Sequence, residues 1–169
     1  MPVVVAVARG AAPAARLTWA QVRAWRLARQ HLDRPAAAGS LVDVASRLCG
    51  AHAQLMSSAE LTLWARIDSL PSGAVAQALW DERTLVKTWA MRGTLHLLPA
   101  AELPMWQAAL STYRHYERPA WLRAFGVRFT RPDHWLGGWR PVEPEEARRE
   151  VARRFLAAHG PASRDDLGR

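Results

Sequence analysis

The sequence predicts a mainly α-helical protein with one small β-hairpin. The order of elements is that of a winged helix-turn-helix unit followed by the start of a second. Three observations carry this. Several amphipathic stretches come first, each with a helix start or stop signal. Two short runs rich in branched and aromatic residues, "LVKTWAM" and "TLHLL", follow with only Arg92-Gly93 between them. A clear helix start then returns at Pro144.

In "LTWAQV", Thr18 is placed to cap a first helix, with Gln21 as its reciprocal partner and Leu17 facing Val22 across the cap. Val22, Trp25, Ala28 and Leu32 share one face. Pro35 and Gly39 end that helix. A second runs from Ser40 with Leu41, Val44, Ala45 and Leu48 as its apolar stripe, and Gly50 is its stop. Ser57 and Glu60 have the spacing of another capping box, opening a third helix with Leu61, Trp64 and Ala65 on one side and Pro71 as its end. A fourth spans roughly residues 73–83, with Val75, Ala78, Leu79 and Glu82 in register.

The two strand-like runs joined by a glycine-containing two-residue turn predict a hairpin, the wing. Pro99 opens a helix over residues 99–118. "RPAWLRAFGVRFTRPDHWLGGWRPV" has three prolines, three tryptophans and little periodicity, so it reads as a connector with packed aromatics. From Pro144, Ala147, Val151, Phe155 and Ala158 line one helix face, and Gly160-Pro161 stop it. "SRDD" from Ser163 is one more cap signal, after which the chain ends at Arg169. The expected division is a loose tail over residues 1–16, a first winged-helix unit with a trailing helix over 17–118, a connector over 119–142, and the beginning of a second, truncated unit over 143–169.

Composition narrows the partners. The 169 residues carry a net charge of +8, from 23 basic and 15 acidic side chains, and Lys87 is the only lysine. The excess sits at both ends: seven arginines against three acids in residues 1–60, and twelve against eight in 112–169. A surface rich in bidentate donors suits phosphate backbones. An arginine- and alanine-rich composition with a solvated basic face accounts for it equally. No run of about 18 apolar residues is present, so no membrane span is expected. One cysteine, Cys49, excludes an internal disulfide and a multi-thiolate zinc site, and fits a reducing, cytoplasmic location close to the nucleoid. No His/Cys/Asp cluster has metal spacing and no glycine-rich loop is shaped for a nucleotide, so neither metal nor cofactor is expected.

The most informative stretch is "GAHAQLMSSAE", between the second helix and the third. Side chains two apart diverge by about 200° on a helix. On extended backbone they point the same way. His52 and Gln54 therefore project to one side of the expected gap, and Ala51, Ala53 and Leu55 to the other. A purely structural use stays open: His52 capping the second helix and Gln54 bonding loop backbone.

"LCGAHAQLMSSAELTLWARI" and "LVKTWAMRGTLHLLPAAEL" resemble the tandem winged-helix DNA glycosylases, the AlkZ-like family. "RRFLAAHGPASRDDL" resembles the start of that family's second winged-helix unit. The likeness covers most of residues 17–110 and 141–169, and is most specific at "MRGTLH" and after Gly50. It implies a Gln–apolar–Gln or Gln–apolar–Asp motif that hydrolyses the bond between an alkylated purine and its sugar, in some members unhooking interstrand crosslinks. Here the motif stands as His52-Ala53-Gln54, with histidine in place of the first glutamine. A purine alkylated at its seven-nitrogen is cationic and leaves readily, so the site mainly has to place a water and tolerate an oxocarbenium-like sugar. Gln54 can hold that water, and a neutral His52 can accept its proton, with a pH-dependent contribution.

The implied partner is double-stranded DNA, alkylated or crosslinked. Arg47, Lys87, Arg92 at the hairpin turn and His96, expected to face outward on the wing, are the candidate DNA contacts. Solvation of the turn arginine, and a hydrogen bond from the strand histidine to a neighbour, stand as the plain alternatives. Trp19, Trp25, Trp64, Trp80 and Trp89 are assigned to the core. A non-catalytic winged-helix DNA-binding protein is the alternative to the enzyme.

Overall fold

The computed structural model describes residues 2–4, 16–111, 131–162 and 166. The expectations for residues 5–15 and 112–130 and for the cap at Ser163 lie outside them. The described chain is mostly helical, with a small antiparallel three-stranded sheet.

Pro2–Val4 (β1), expected in a loose tail, pairs antiparallel with Arg16–Thr18 (β2), with Val3 opposite Leu17. Its β-branched valines favour a strand. Trp19–Arg29 (α1) begins at the expected capping box. The Gln21 amide donates to the Thr18 hydroxyl at 3.2 Å, and the Thr18 amide to the Gln21 carboxamide oxygen at 2.8 Å. The expected apolar stripe is not what docks this helix. Val22 is buried, whereas Trp25, Ala28 and Leu32 are exposed.

Leu41–Arg47 (α2) buries Leu41, Val44 and Ala45, with Leu48 following. Cys49 and Gly50 then turn the chain at φ +60° and +96°. Gly50 is required twice over. Its φ favours glycine, and an added Cβ would lie 2.6 Å from Leu98 Cδ2 and 3.2 Å from the Leu97 carbonyl.

Ala51–His52 (β3), Leu85–Trp89 (β4) and Leu95–Pro99 (β5) form the sheet in the order β3-β5-β4. The loop between β4 and β5 is longer than the expected two residues. Trp89 opposite Leu95 is the last pair, and residues 90–94 turn through a 3-10 segment, Met91–Gly93. The Ala90 amide donates to the Thr94 carbonyl at 3.0 Å and closes it.

Met56–Trp64 (α3) starts one residue before the expected cap. Ser57 thus lies inside the first turn, where its hydroxyl cannot cap, and no Ser57–Glu60 box forms. Ala74–Ala76 (α4) widens into a π-helical turn, Gln77–Asp81. Val75, Ala78 and Leu79 keep their inward register, while Glu82 is exposed and accepts from Gln77 Nε2 at 2.7 Å. Pro99 is the last residue of β5 rather than the opening of a helix. The next helix, Leu103–Leu110 (α5), has its proline, Pro104, in the first turn. Pro132–Leu136 (α6) lies within the expected connector, and Pro144–His159 (α7) follows.

The sheet separates two apolar layers. On one side Leu85, Leu97, Ala51 and Ala53 pack with α2, α3 and the π turn. On the other, Val86 and Leu98 pack with Cys49, Leu103, Trp106 and Ala158. Each fully buried Leu or Val contributes about 2 kcal/mol. Trp106 is the tryptophan that fills the core. Trp19, Trp25, Trp64 and Trp80, expected there, are 51% to 64% exposed, and Trp89 is half-buried. The physical reason is that α1 docks through polar groups, and that the outer side of α3 lines an open groove of about 600 Å³ with Leu61, Trp64, Leu70 and Pro71.

Charge fastens α7 to the rest. Arg154 Nη1 meets Glu102 Oε2 at 2.5 Å, and Ser46 and Trp106 donate to the same carboxylate at 2.5 and 3.3 Å. Arg154 and Arg153 also donate to Glu150 at 2.7 Å, and these hydrogen bonds hold the Glu150 carboxyl at about 2. At the far end Arg29 Nε donates to the Ala157 carbonyl at 3.0 Å and Arg26 Nη2 to the Pro161 carbonyl at 2.8 Å. A helix leaves its last carbonyls without internal donors, and cations complete them. Among the described residues no helix is long and apolar enough to cross a membrane.

Candidate active site

The positive φ of Cys49 and Gly50 ends α2 and delivers the next residues to the edge of the sheet. The Cys49 and Gly50 amides donate to the Ser46 and Ala45 carbonyls, at 3.0 and 2.9 Å. The end of α2 is therefore met by backbone, without a His52 cap. Ala51 pairs with Leu97 and His52 with His96, and the Ala53 amide donates to the Leu95 carbonyl at 2.7 Å. The chain is thus extended from Ala51 to Ala53, and Leu55 is still in the β region before α3 begins.

Burial follows the alternation of that backbone. Ala51 and Ala53 are fully buried against Leu97 and α3, His52 is exposed, and Gln54 is half-buried. The small alanine at the centre of the motif fits because it faces the core. Gln54 Oε1 lies 3.5 Å from the Leu95 amide, too long for a firm hydrogen bond. Its carboxamide continues the ladder past the last paired residue of β3, with acceptor capacity to spare.

The remaining candidates divide. His96 is directly opposite His52, with ring centroids 5.4 Å apart and planes at 81°. It is 4% exposed, which corrects the expectation that it faces outward on the wing. The reason is its strand: β5 is central, covered by β3 on one side and β4 on the other. His96 Nδ1 lies 3.0 Å from the Thr94 carbonyl. Since a carbonyl only accepts, that nitrogen carries the proton. Thr88, which sequence reasoning passed over, pairs with His96 from β4. His52, His96 and Thr88 thus form one cross-sheet row on a single face. Lys87 pairs with Leu97 and points to the opposite face, half-buried and away from His52. Arg47 is exposed in the last turn of α2. Arg92 lies in the 3-10 segment of the β4–β5 loop.

Cys49, three residues before His52, offers no nucleophile. Burial pushes its thiol up to about 11; Glu102 adds to that rise and Arg154 opposes it. Among the described residues no group of three or more His, Cys, Asp and Glu is placed to hold a metal.

Sequence and structure comparisons place the chain among known proteins. Residues 45–128 match the family described as DNA glycosylase AlkZ-like. An interstrand DNA cross-link repair glycosylase from Streptomyces sahachiroi is 41% identical over 112 residues, 66% of this chain and 30% of that protein. The structure of the Streptomyces sahachiroi DNA glycosylase AlkZ superposes with a TM-score of 0.72 at 27% identity, covering 86% of this chain and 58% of that one. The chain thus spans less than a third of the curated relative it matches. The matched segment opens within α2 and contains residues 52–54 and the strands β3, β4 and β5; through residues 45–128, the chain belongs to the AlkZ-like DNA glycosylase family.

Proposed function

We propose that this chain is part of a DNA glycosylase that hydrolyses the bond between sugar and an alkylated purine, cationic through its seven-nitrogen. Release of the base at either end of a crosslink between two such purines unhooks the strands. His52 and Gln54 are the working groups. The observation that supports the reading is their proximity, two polar side chains at and just beyond the edge strand β3, the histidine open to solvent and the glutamine half-buried. Gln54 holds a water through its carboxamide oxygen. His52 accepts the proton as that water attacks the anomeric carbon, and the electron pair of the breaking bond neutralises the purine. The similarity to a cross-link repair glycosylase supports this substrate class.

The helices α2 and α3 with the β4–β5 hairpin are read as a winged-helix unit on duplex DNA, and residues 143–169 as opening a second. Arg47 and Arg92 are phosphate contacts in this reading, and Lys87 a weaker one because it lies on the other face of the sheet. The protein works in the cytoplasm, at the nucleoid, without metal or cofactor.

The test uses duplex DNA with a single 7-methylguanine. Incubation followed by hot alkali breaks the strand wherever the base has been released. Cleavage that vanishes in both Gln54→Ala and His52→Ala supports the enzyme. A second reading, a DNA-binding protein without catalysis, is favoured by the histidine in the first motif position. Duplex binding by the parent protein with no base release would establish it.

A further inference from the structure

We infer that His96 is the positioning residue for His52. The inference rests on the reading of His52 as a working group. Four observations meet here. Strand register sets the two imidazoles directly opposite on adjacent strands. Their rings sit edge to face, 5.4 Å between centroids, within the range of favourable aromatic pairs. His96 is buried and its Nδ1 proton is committed to the Thr94 carbonyl at 3.0 Å, so this ring is oriented before any substrate arrives. His52, by contrast, is exposed on a two-residue edge strand, and nothing in its own segment fixes its ring.

An exposed imidazole samples several rotamers, and only some aim it at the water beside Gln54. A fixed neighbouring ring narrows that choice. Misplacing a reacting group by about 1 Å costs up to a hundredfold in rate. The side of β5 that carries His96 also carries Leu98, against which Gly50 is packed. The ring that orients His52 is thereby anchored in the core, while the ring it orients stays at the surface.

The experiment has two arms, both on the full chain. In the first, histidine-labelled protein without DNA is followed by NMR, reading the His52 ring protons in the parent, His96→Phe and His96→Ala. The expected result is a clear displacement of the His52 signals in His96→Ala and a smaller one in His96→Phe, which keeps an aromatic ring. Unmoved His52 signals in a folded His96→Ala protein would overturn the inference.

The second arm measures single-turnover base release and duplex affinity. His96→Ala should slow release about tenfold with unchanged affinity, and His96→Phe should stay within about threefold of the parent. On a His52→Ala background, His96→Ala should cost nothing more, because no ring remains to be aimed. Independent, multiplying losses mean that His96 is merely structural, and overturn the inference. Should His96→Ala not fold, His96→Gln against His96→Phe makes the same comparison. If the parent protein releases no base, the proposed function fails, and the first arm alone still decides whether His96 holds His52.

Discussion

Two polar clusters of this protein, the row His52–His96–Thr88 and the clip Glu102–Arg154–Glu150–Ser46, are built on opposite plans. In the clip every charge is answered. Glu102 has a guanidinium, a hydroxyl and an indole N–H, and Arg154 bridges two carboxylates. In the row, only the centre is closed. His96 is buried on the central strand, whereas His52 on the edge strand is exposed and the oxygen of Gln54 is only loosely approached. The clip spans distant chain segments, α2, the turn that opens α5, and α7, and fixes the architecture. The row spans three adjacent strands and leaves His52 exposed at one edge. A closed polar network rigidifies; an open one retains acceptors for substrate.

That contrast can be broken from either side. The largest effect is expected on the clip. Arg154→Met strips Glu102 of its cation in a mostly buried position, and should lower stability by about 3 kcal/mol, read as a shift in the urea midpoint. His52→Ala and Gln54→Ala should leave that midpoint within about 0.5 kcal/mol. Equal destabilisation by both kinds of variant would erase the distinction between frame and site. The reverse holds for base release from 7-methylguanine duplex, which either site variant should reduce about a hundredfold. Gly50→Ala sits between the two, because Gly50 serves both clusters: it ends α2 and launches β3. Its positive φ and the crowding at Leu98 and Leu97 should cost about 2 kcal/mol, with weaker base release as a consequence, checked by thermal melting and activity together.

The smallest effect is that of pH on the clip. The Glu150 carboxyl, held at about 2 by its arginine hydrogen bonds, lies below its ordinary 4.5. Because the folded value is the lower one, its contribution is complete above about 4.5 and fades as pH falls towards 2. Its carboxylate is partly open to solvent, so the fall should be shallow. Urea midpoints at pH 6, 4 and 3 should decline in the parent and more weakly in Glu150→Gln.

Legibility in the sequence followed the range of the interaction. The Thr18–Gln21 box formed as read, because both partners lie within one turn. The Ser57–Glu60 pair had the same spacing and did not form, because Leu55 takes the N-cap position and α3 starts one residue early. The hairpin was visible in its two strand runs, but the length of its loop depended on where pairing with β5 stopped. The non-helical gap that holds His52 was legible from the helix stop at Gly50. His96 was visible as a residue and misjudged in burial, since a strand's own pattern does not say whether it is central or at an edge. The tryptophans failed for a related reason. Amphipathic periodicity names the apolar side of a helix, not whether another element covers it.

The sequence by itself determined the helical class, the Thr18 cap, the stop at Gly50, the hairpin, and the tripeptide His52-Ala53-Gln54 with its alternating backbone. These depend on φ preferences and on neighbours a few residues apart. Only the tertiary structure decided that β3 joins β5, that His96 lies opposite His52, that Lys87 turns away, and that Arg154 ties α7 to Glu102 and Ser46. Each of these joins residues far apart in the chain. Such contacts are selected by what the whole core can bury and which charges it can pair, a choice that no single segment carries.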